Sequence, residues 1–146
     1  MKRIALWLAC VAATWPVAAQ ADTLRSFTVS GLFRDNAVMS GTLTVDEDTG
    51  TITACDIEIS GPETFTFQRV VKQTTVGKAA VVVLAPAHKK WPRLVFGEQT
   101  FPGSLRGYNG GPLGRRTDIV HSDQSKQLIL SGHLIAHRTA TPAKPS

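Results

Sequence analysis

Apolar and polar residues alternate with a period of two along most of this chain, the spacing of strands that bury one face and wet the other. Within residues 24–34, Phe27, Val29 and Phe33 share one phase, while Thr28, Ser30 and Arg34 share the other. Residues 37–45 set Met39, Leu43 and Val45 against Ser40, Thr42 and Thr44. Residues 51–60 set Cys55, Ile57 and Ile59 against Asp56 and Glu58, and residues 64–72 alternate through Phe65 and Phe67. The unbroken apolar run Val81-Val82-Val83-Leu84, within 79–85, predicts a strand covered on both faces. Residues 93–96, 118–121 and 127–136 complete a set of about eight short strands.

Turn formers punctuate these runs. Asp35-Asn36, Asp48-Thr49-Gly50, Gly61-Pro62 and Val76-Gly77-Lys78 are the predicted hairpin turns. Residues 97–116 hold Pro102, Gly103, Gly107, Gly110, Gly111, Pro112 and Gly114 and are predicted to be one long irregular loop. No stretch after residue 21 carries a helical period. The pattern therefore predicts an all-β domain, an antiparallel β-sandwich or partly closed barrel joined mostly by hairpins.

The first 21 residues break the alternation. Lys2 and Arg3 precede an uncharged apolar core from residue 4 to 13, Pro16 interrupts it, and Ala19-Gln20-Ala21 places small residues where a signal peptidase reads. A membrane span needs about 20 apolar residues, so the expectation is a cleavable signal peptide (1–21), with no membrane span after cleavage. A single β domain (22–138) and a flexible Pro-containing tail (139–146) follow. The product is expected to be secreted or periplasmic.

Export changes the charge and cysteine counts. Removing Lys2 and Arg3 lowers the formal net charge from +5 to +3. Residues 22–63 carry eight acids against two bases, and residues 64–146 carry twelve bases against three acids. That asymmetry means either a two-faced surface or halves that neutralise one another in the fold, and neutralisation is the expectation. Cys10 leaves with the signal peptide, so Cys55 stands alone. Its phase, shared with Ile57 and Ile59, predicts a buried, unreactive thiol.

Phe27, Gly31, Phe33 and Asp35, then Ser40-Gly41-Thr42, Val45-Asp46, Thr49-Gly50, Ile52 and Asp56-Ile57, stand in an order that resembles the β-meander of small exported bacterial proteins. Many members of that largely uncharacterised group carry a PEP-CTERM sorting tail. The resemblance covers about residues 27–60 and brings no catalytic residues. No Pro-Glu-Pro motif, transmembrane helix or basic cluster closes this chain, so it does not imply membrane sorting.

The chain lacks assembled catalytic signatures. Asp46-Glu47-Asp48-Thr49-Gly50 has no bidentate Glu at the EF-hand spacing and is expected to be a solvated turn. His133 and His137 would be about 13 Å apart on a strand, too far to share a metal. Ser104 follows Gly103 directly, unlike a nucleophile elbow, and no P-loop Lys-Ser or Lys-Thr follows the glycines of 107–114. No metal and no cofactor are expected.

The basic segment around Trp91 is the candidate ligand site. Lys89, Lys90 and Arg93 surround the only Trp beyond the signal peptide, and Arg106, Tyr108, Arg115 and Arg116 lie in the following loop. Cations beside aromatic rings hold anionic sugars or polymers by charge and stacking. These eight residues are expected to bind an anionic ligand if the two loops converge. Otherwise Trp91 plugs the core and the lysines solvate a turn. The modest net charge and the absence of a known module argue against nucleic acid, and no pattern sets an oligomeric state. Three function classes remain: a non-enzymatic structural or adhesive domain at the cell exterior, which is the leading expectation; a binding module for an anionic surface polymer or polysaccharide; and a hydrolase built from scattered Asp and His residues, for which a pocket holding His121 or His133 near an acid would be the sign.

Overall fold

The alternation is realised as ten strands and no helix in the computed structural model, which describes residues 23–137. The expected signal peptide and tail lie outside the described residues. The strands are β1 (Leu24–Phe33), β2 (Val38–Asp46), β3 (Thr51–Ser60), β4 (Phe65–Phe67), β5 (Arg69–Val76), β6 (Ala79–Ala85), β7 (Arg93–Pro102), β8 (Gly110–Pro112), β9 (Asp118–Val120) and β10 (Lys126–Ala136). Neighbours are antiparallel in the order β4-β3-β2-β1-β10-β9-β7-β6-β5, with β8 added to β10. Only Gln68 separates β4 from β5, so the two ends of that order belong to almost one strand. The sheet therefore wraps into a nearly closed antiparallel barrel.

The inward phase is the one the sequence marks. Phe27, Val29 and Phe33 of β1, Met39, Leu43 and Val45 of β2, and Ile57 and Ile59 of β3 are all buried. They meet Phe67, Val82, Leu84, Leu94, Phe96 and Ile119 from the opposite wall in one core. Each such side chain contributes about 1.5–3 kcal/mol of apolar burial. Gly41 interrupts the row in β2 because a Cβ there would collide with the Asp56 carbonyl of β3, and its φ of 155° suits glycine.

Three expectations change. The run in β6 is not covered on both faces: Ala80, Val82 and Leu84 are buried, whereas Val81 and Val83 are only half-buried on the outer wall. The strand expected over 64–72 divides at Gln68, with β4 pairing β3 and β5 pairing β6. The irregular loop expected over 97–116 is largely structured. Strand β7 continues to Pro102, burying Thr100 and Phe101, and β8 adds a second short strand. Gly97 marks a close approach rather than a turn, since a Cβ there would meet the Arg116 backbone.

The barrel does not close by backbone pairing everywhere. Strand β3 pairs with β4 only through Ile57–Ile59, which leaves the facing edges of β3 and β5 without a ladder. The Gln73 amide crosses this seam. Its Oε1 accepts from the Ile52 N–H at 2.9 Å and its Nε2 donates to the Gly50 carbonyl at 2.7 Å, filling the place of a missing strand.

Candidate ligand-binding site

Antiparallel pairing fixes which loops share an end of the barrel. The connections 34–37, 61–64, 86–92 and 121–125 gather at one end, and 47–50, 77–78 and 103–109 gather at the other. The basic segment forms most of the β6–β7 connection, so it belongs to the first end.

Two arginines fasten that connection. Arg69 of β5 donates from Nε to the Pro86 carbonyl at 3.5 Å and from its guanidinium to the Lys89 carbonyl at 3.2 Å. Arg93 donates to the Lys90 carbonyl at 3.4 Å and places its guanidinium 4.6 Å from the Trp91 ring centroid. Trp91 is half-buried rather than a core plug, and the following Pro92 is buried. Lys89 and Lys90 are exposed.

Trp91, His88, Lys89 and Pro92 form one wall of a cleft of about 420 Å³, and Phe65, Thr66 and Gln68 form the other. Its size falls within the usual range for small-molecule sites. Phe65 and Gln68 come from the stretch where β4 gives way to β5. Phe65, Gln68 and Arg69 were not singled out in the sequence. Their alternation gives them strand positions, and the break at Gln68 depends on two different partner strands, β3 for β4 and β6 for β5.

The remaining predicted residues lie elsewhere. Arg106 and Tyr108 are at the opposite end of the barrel, about 30 Å from Arg93 along the ten residues of β7. Tyr108 packs on Phe27 at 5.4 Å and Phe101 at 5.5 Å, and burial pushes its phenol pKa up. Arg25 ties this loop down, donating to the Tyr108 carbonyl and to Asn109 while pairing with Glu47 at 3.1 Å. Arg115 and Arg116 sit partway along the wall, where Arg116 faces Glu98 at 3.8 Å in the open. The eight residues thus do not make one patch. Lys89, Lys90, Trp91 and Arg93 come together, and Arg106, Tyr108, Arg115 and Arg116 do not join them.

A second cleft of about 460 Å³ adjoins the first, lined by Pro62, Glu63, His121, Ser122, Asp123, Ser125 and Gln127. Phe65 of the first cleft meets His121 of the second edge-on, with ring centroids 5.8 Å apart. The Asp123 carboxylate accepts the Ser125 N–H at 2.9 Å, and hydrogen bonding to Ser125, helped by His121, holds its pKa below the usual carboxylate value. Among the described residues, no hydrogen bond joins the His121 ring to Ser122, Glu63 or Asp123, so no nucleophile–base pair is assembled. No group of three or more His, Cys, Asp or Glu side chains among them converges as metal ligands. No protein-family model, curated protein or solved structure matches this chain.

Proposed function

We propose that the chain is an exported, non-enzymatic β-barrel domain that binds an anionic surface polysaccharide at the cell exterior through the cleft beside Trp91. The observation that carries this reading is the half-buried Trp91, steadied by Arg93 and opening onto a cleft shared with Phe65, His88 and Lys89. A ring held in place offers stacking area with little conformational entropy to lose, and the exposed Lys89 and its neighbour Lys90, in no ion pair among the described residues, add positive charge. The signal-like N-terminus and the resemblance to exported β-meander proteins support a site outside the cytoplasm. The site residues of the proposal are Lys89, Lys90 and Trp91, with Arg93 and Arg69 positioning the loop.

Retention of the mature protein on immobilised polygalacturonate tests the proposal. Binding is expected to weaken as salt rises, because screening shortens the reach of exposed charges to about 8 Å at physiological ionic strength. Trp91→Ala is expected to lose about 1–3 kcal/mol of binding, the range for stacking on an aromatic side chain. Passage of wild-type protein through the column unretained at low salt would leave the domain with a structural or adhesive role and no polyanion ligand.

A further inference from the structure

The chain contains two asparagines, Asn36 and Asn109, and the fold treats them oppositely. Asn109 is exposed at the end of the 103–109 connection, and Gly110, which opens β8, follows it. That glycine is required by the fold. Its φ is 92°, and a Cβ on it would collide with the Leu134 carbonyl oxygen. Asn109 therefore precedes a residue with no side chain to screen its backbone nitrogen.

That nitrogen is also free. Leu113 donates its N–H to the Gly132 carbonyl at 2.8 Å, and bonded and non-bonded pairs alternate along an antiparallel ladder. By that alternation Gly111 is bonded to Leu134, and Gly110 stands in a non-bonded pair with Ile135, its N–H pointing away from β10. It has no acceptor among the described residues. At Asn36 the corresponding nitrogen is engaged. The Ala37 N–H donates to the Asp35 carboxylate at 3.1 Å, and Ala37 is buried.

The Asn109 amide is polarised at the same time. Arg25 donates from its guanidinium to Asn109 Oδ1, and its contacts with the Tyr108 carbonyl and Glu47 hold it there. A cation at that oxygen stabilises the negative charge that grows on it when a nucleophile adds to Cγ.

We propose that Asn109 is a site of spontaneous deamidation promoted by Arg25. The Gly110 nitrogen gives its proton to solvent base and bonds to Asn109 Cγ, while the carbonyl electron pair moves onto Oδ1 beside Arg25. The pair then returns, the Cγ–Nδ2 bond breaks, and the nitrogen leaves as ammonia with a proton taken from water. Water opens the resulting succinimide at either carbonyl, leaving an aspartyl or isoaspartyl residue at position 109. No oxidant or reductant takes part. The aspartyl product sets a carboxylate against Arg25, so this tether of the loop changes from a hydrogen bond to an ion pair.

The test is incubation of the mature protein in mildly alkaline buffer, followed by peptide mapping, in which each conversion adds about 1 Da. Wild type is expected to accumulate the change at position 109 and not at Asn36. Asn109→Gln is expected to abolish it, because the longer side chain must close a larger ring. Arg25→Gln, with a thermal melt to show that it folds, is expected to convert about two- to fivefold more slowly, the factor that an exposed charged contact supplies. The peptide spanning 107–112 has the same local sequence and no arginine, and it is expected to lag behind the native protein by a similar factor. That comparison holds even where Arg25→Gln does not fold. Equal or faster conversion in folded Arg25→Gln overturns the proposal, as does a native rate no higher than the peptide's, since Asn-Gly alone would then account for the reaction.

Discussion

Cys55 and Asp118 show how single positions in a barrel wall are set by their neighbours. Cys55 is buried and free, and desolvation, reinforced by Asp56, raises its thiol pKa from 9.0 to about 11. The thiolate is the reactive form, and at a given pH its population falls about tenfold for each step the pKa rises. The native protein is therefore expected to label about a hundredfold more slowly than an unperturbed thiol. Thiol labelling in native buffer and in denaturant measures that difference. Cys55→Ser would bury a hydroxyl and is expected to destabilise by about 1–3 kcal/mol if the hydroxyl finds no acceptor. Asp118 presents a different imbalance. Its Oδ1 is shielded without a partner among the described residues, and burial raises its pKa, an effect Lys126 partly offsets. In the native state the carboxyl holds its proton to higher pH than in the unfolded chain. Its contribution to stability is therefore greatest below the unfolded value and falls as pH rises through the native one. Asp118→Asn is expected to raise the melting temperature at pH 7, with the gain disappearing in acid below the ordinary Asp pKa. Thermal melts across that range measure it. The phase of Cys55 was legible in sequence because Ile57 and Ile59 repeat it. Asp118 was not, since its shielding depends on β9 being flanked by both β10 and β7, which pair with it at Leu128 and Val95.

At the level of elements, alternation reads out well wherever one strand keeps one pair of partners. Strands β1 and β2 satisfy this, and their buried residues match the phase seen in sequence. Alternation says nothing about where a strand changes partners. Residues 64–72 read as one strand, yet they divide at Gln68 because the first part completes one side of the barrel and the second begins the other. Residues 97–102 read as loop because Gly97 and Pro102 are turn formers, yet Gly97 is needed where Arg116 crosses. The seam between β3 and β5 follows from the same partner change, and Gln73 is its main tie. Gln73→Ala removes two hydrogen bonds to backbone groups and is expected to destabilise the barrel by about 1–3 kcal/mol. Denaturant melts give that value. Hydrogen exchange at Ile52, whose N–H the Gln73 amide accepts, should accelerate more than exchange at Leu43 in the core of β2, because opening at the seam is local.

At the scale of the whole molecule, the charge asymmetry of the sequence is not cancelled by pairing. The two ion pairs among the described residues, Arg25–Glu47 and Arg116–Glu98, each join residues of the same half of the chain. The acids Asp56 and Glu58 of β3 and the bases Arg69 and Lys72 of β5 face solvent on strands that adjoin across the seam, outside any direct ion pair among the described residues. Sequence located Lys89, Lys90, Trp91 and Arg93 as a group because they are contiguous. It could not decide whether Arg106, Arg115 and Arg116 join them, since that depends on the length of β7. Ten residues of strand carry the chain from one end of the barrel to the other, and the later arginines are left at its far end and on its flank. The separation yields a test by position. At a Debye length of about 8 Å, Arg106, some 30 Å from Arg93, and Arg116, beside Glu98 about 16 Å along β7, are both largely screened from a ligand in the Trp91 cleft. Arg106→Ala, and Arg115→Ala with Arg116→Ala, are therefore expected to elute from immobilised polygalacturonate at the same salt concentration as wild type. Lys89→Ala with Lys90→Ala is expected to elute clearly earlier. The comparison removes two charges in each double variant, so a general loss of positive charge would shift both equally. Equal shifts would mean that the polymer follows net charge over the whole surface, and the cleft would lose its claim to be the binding site.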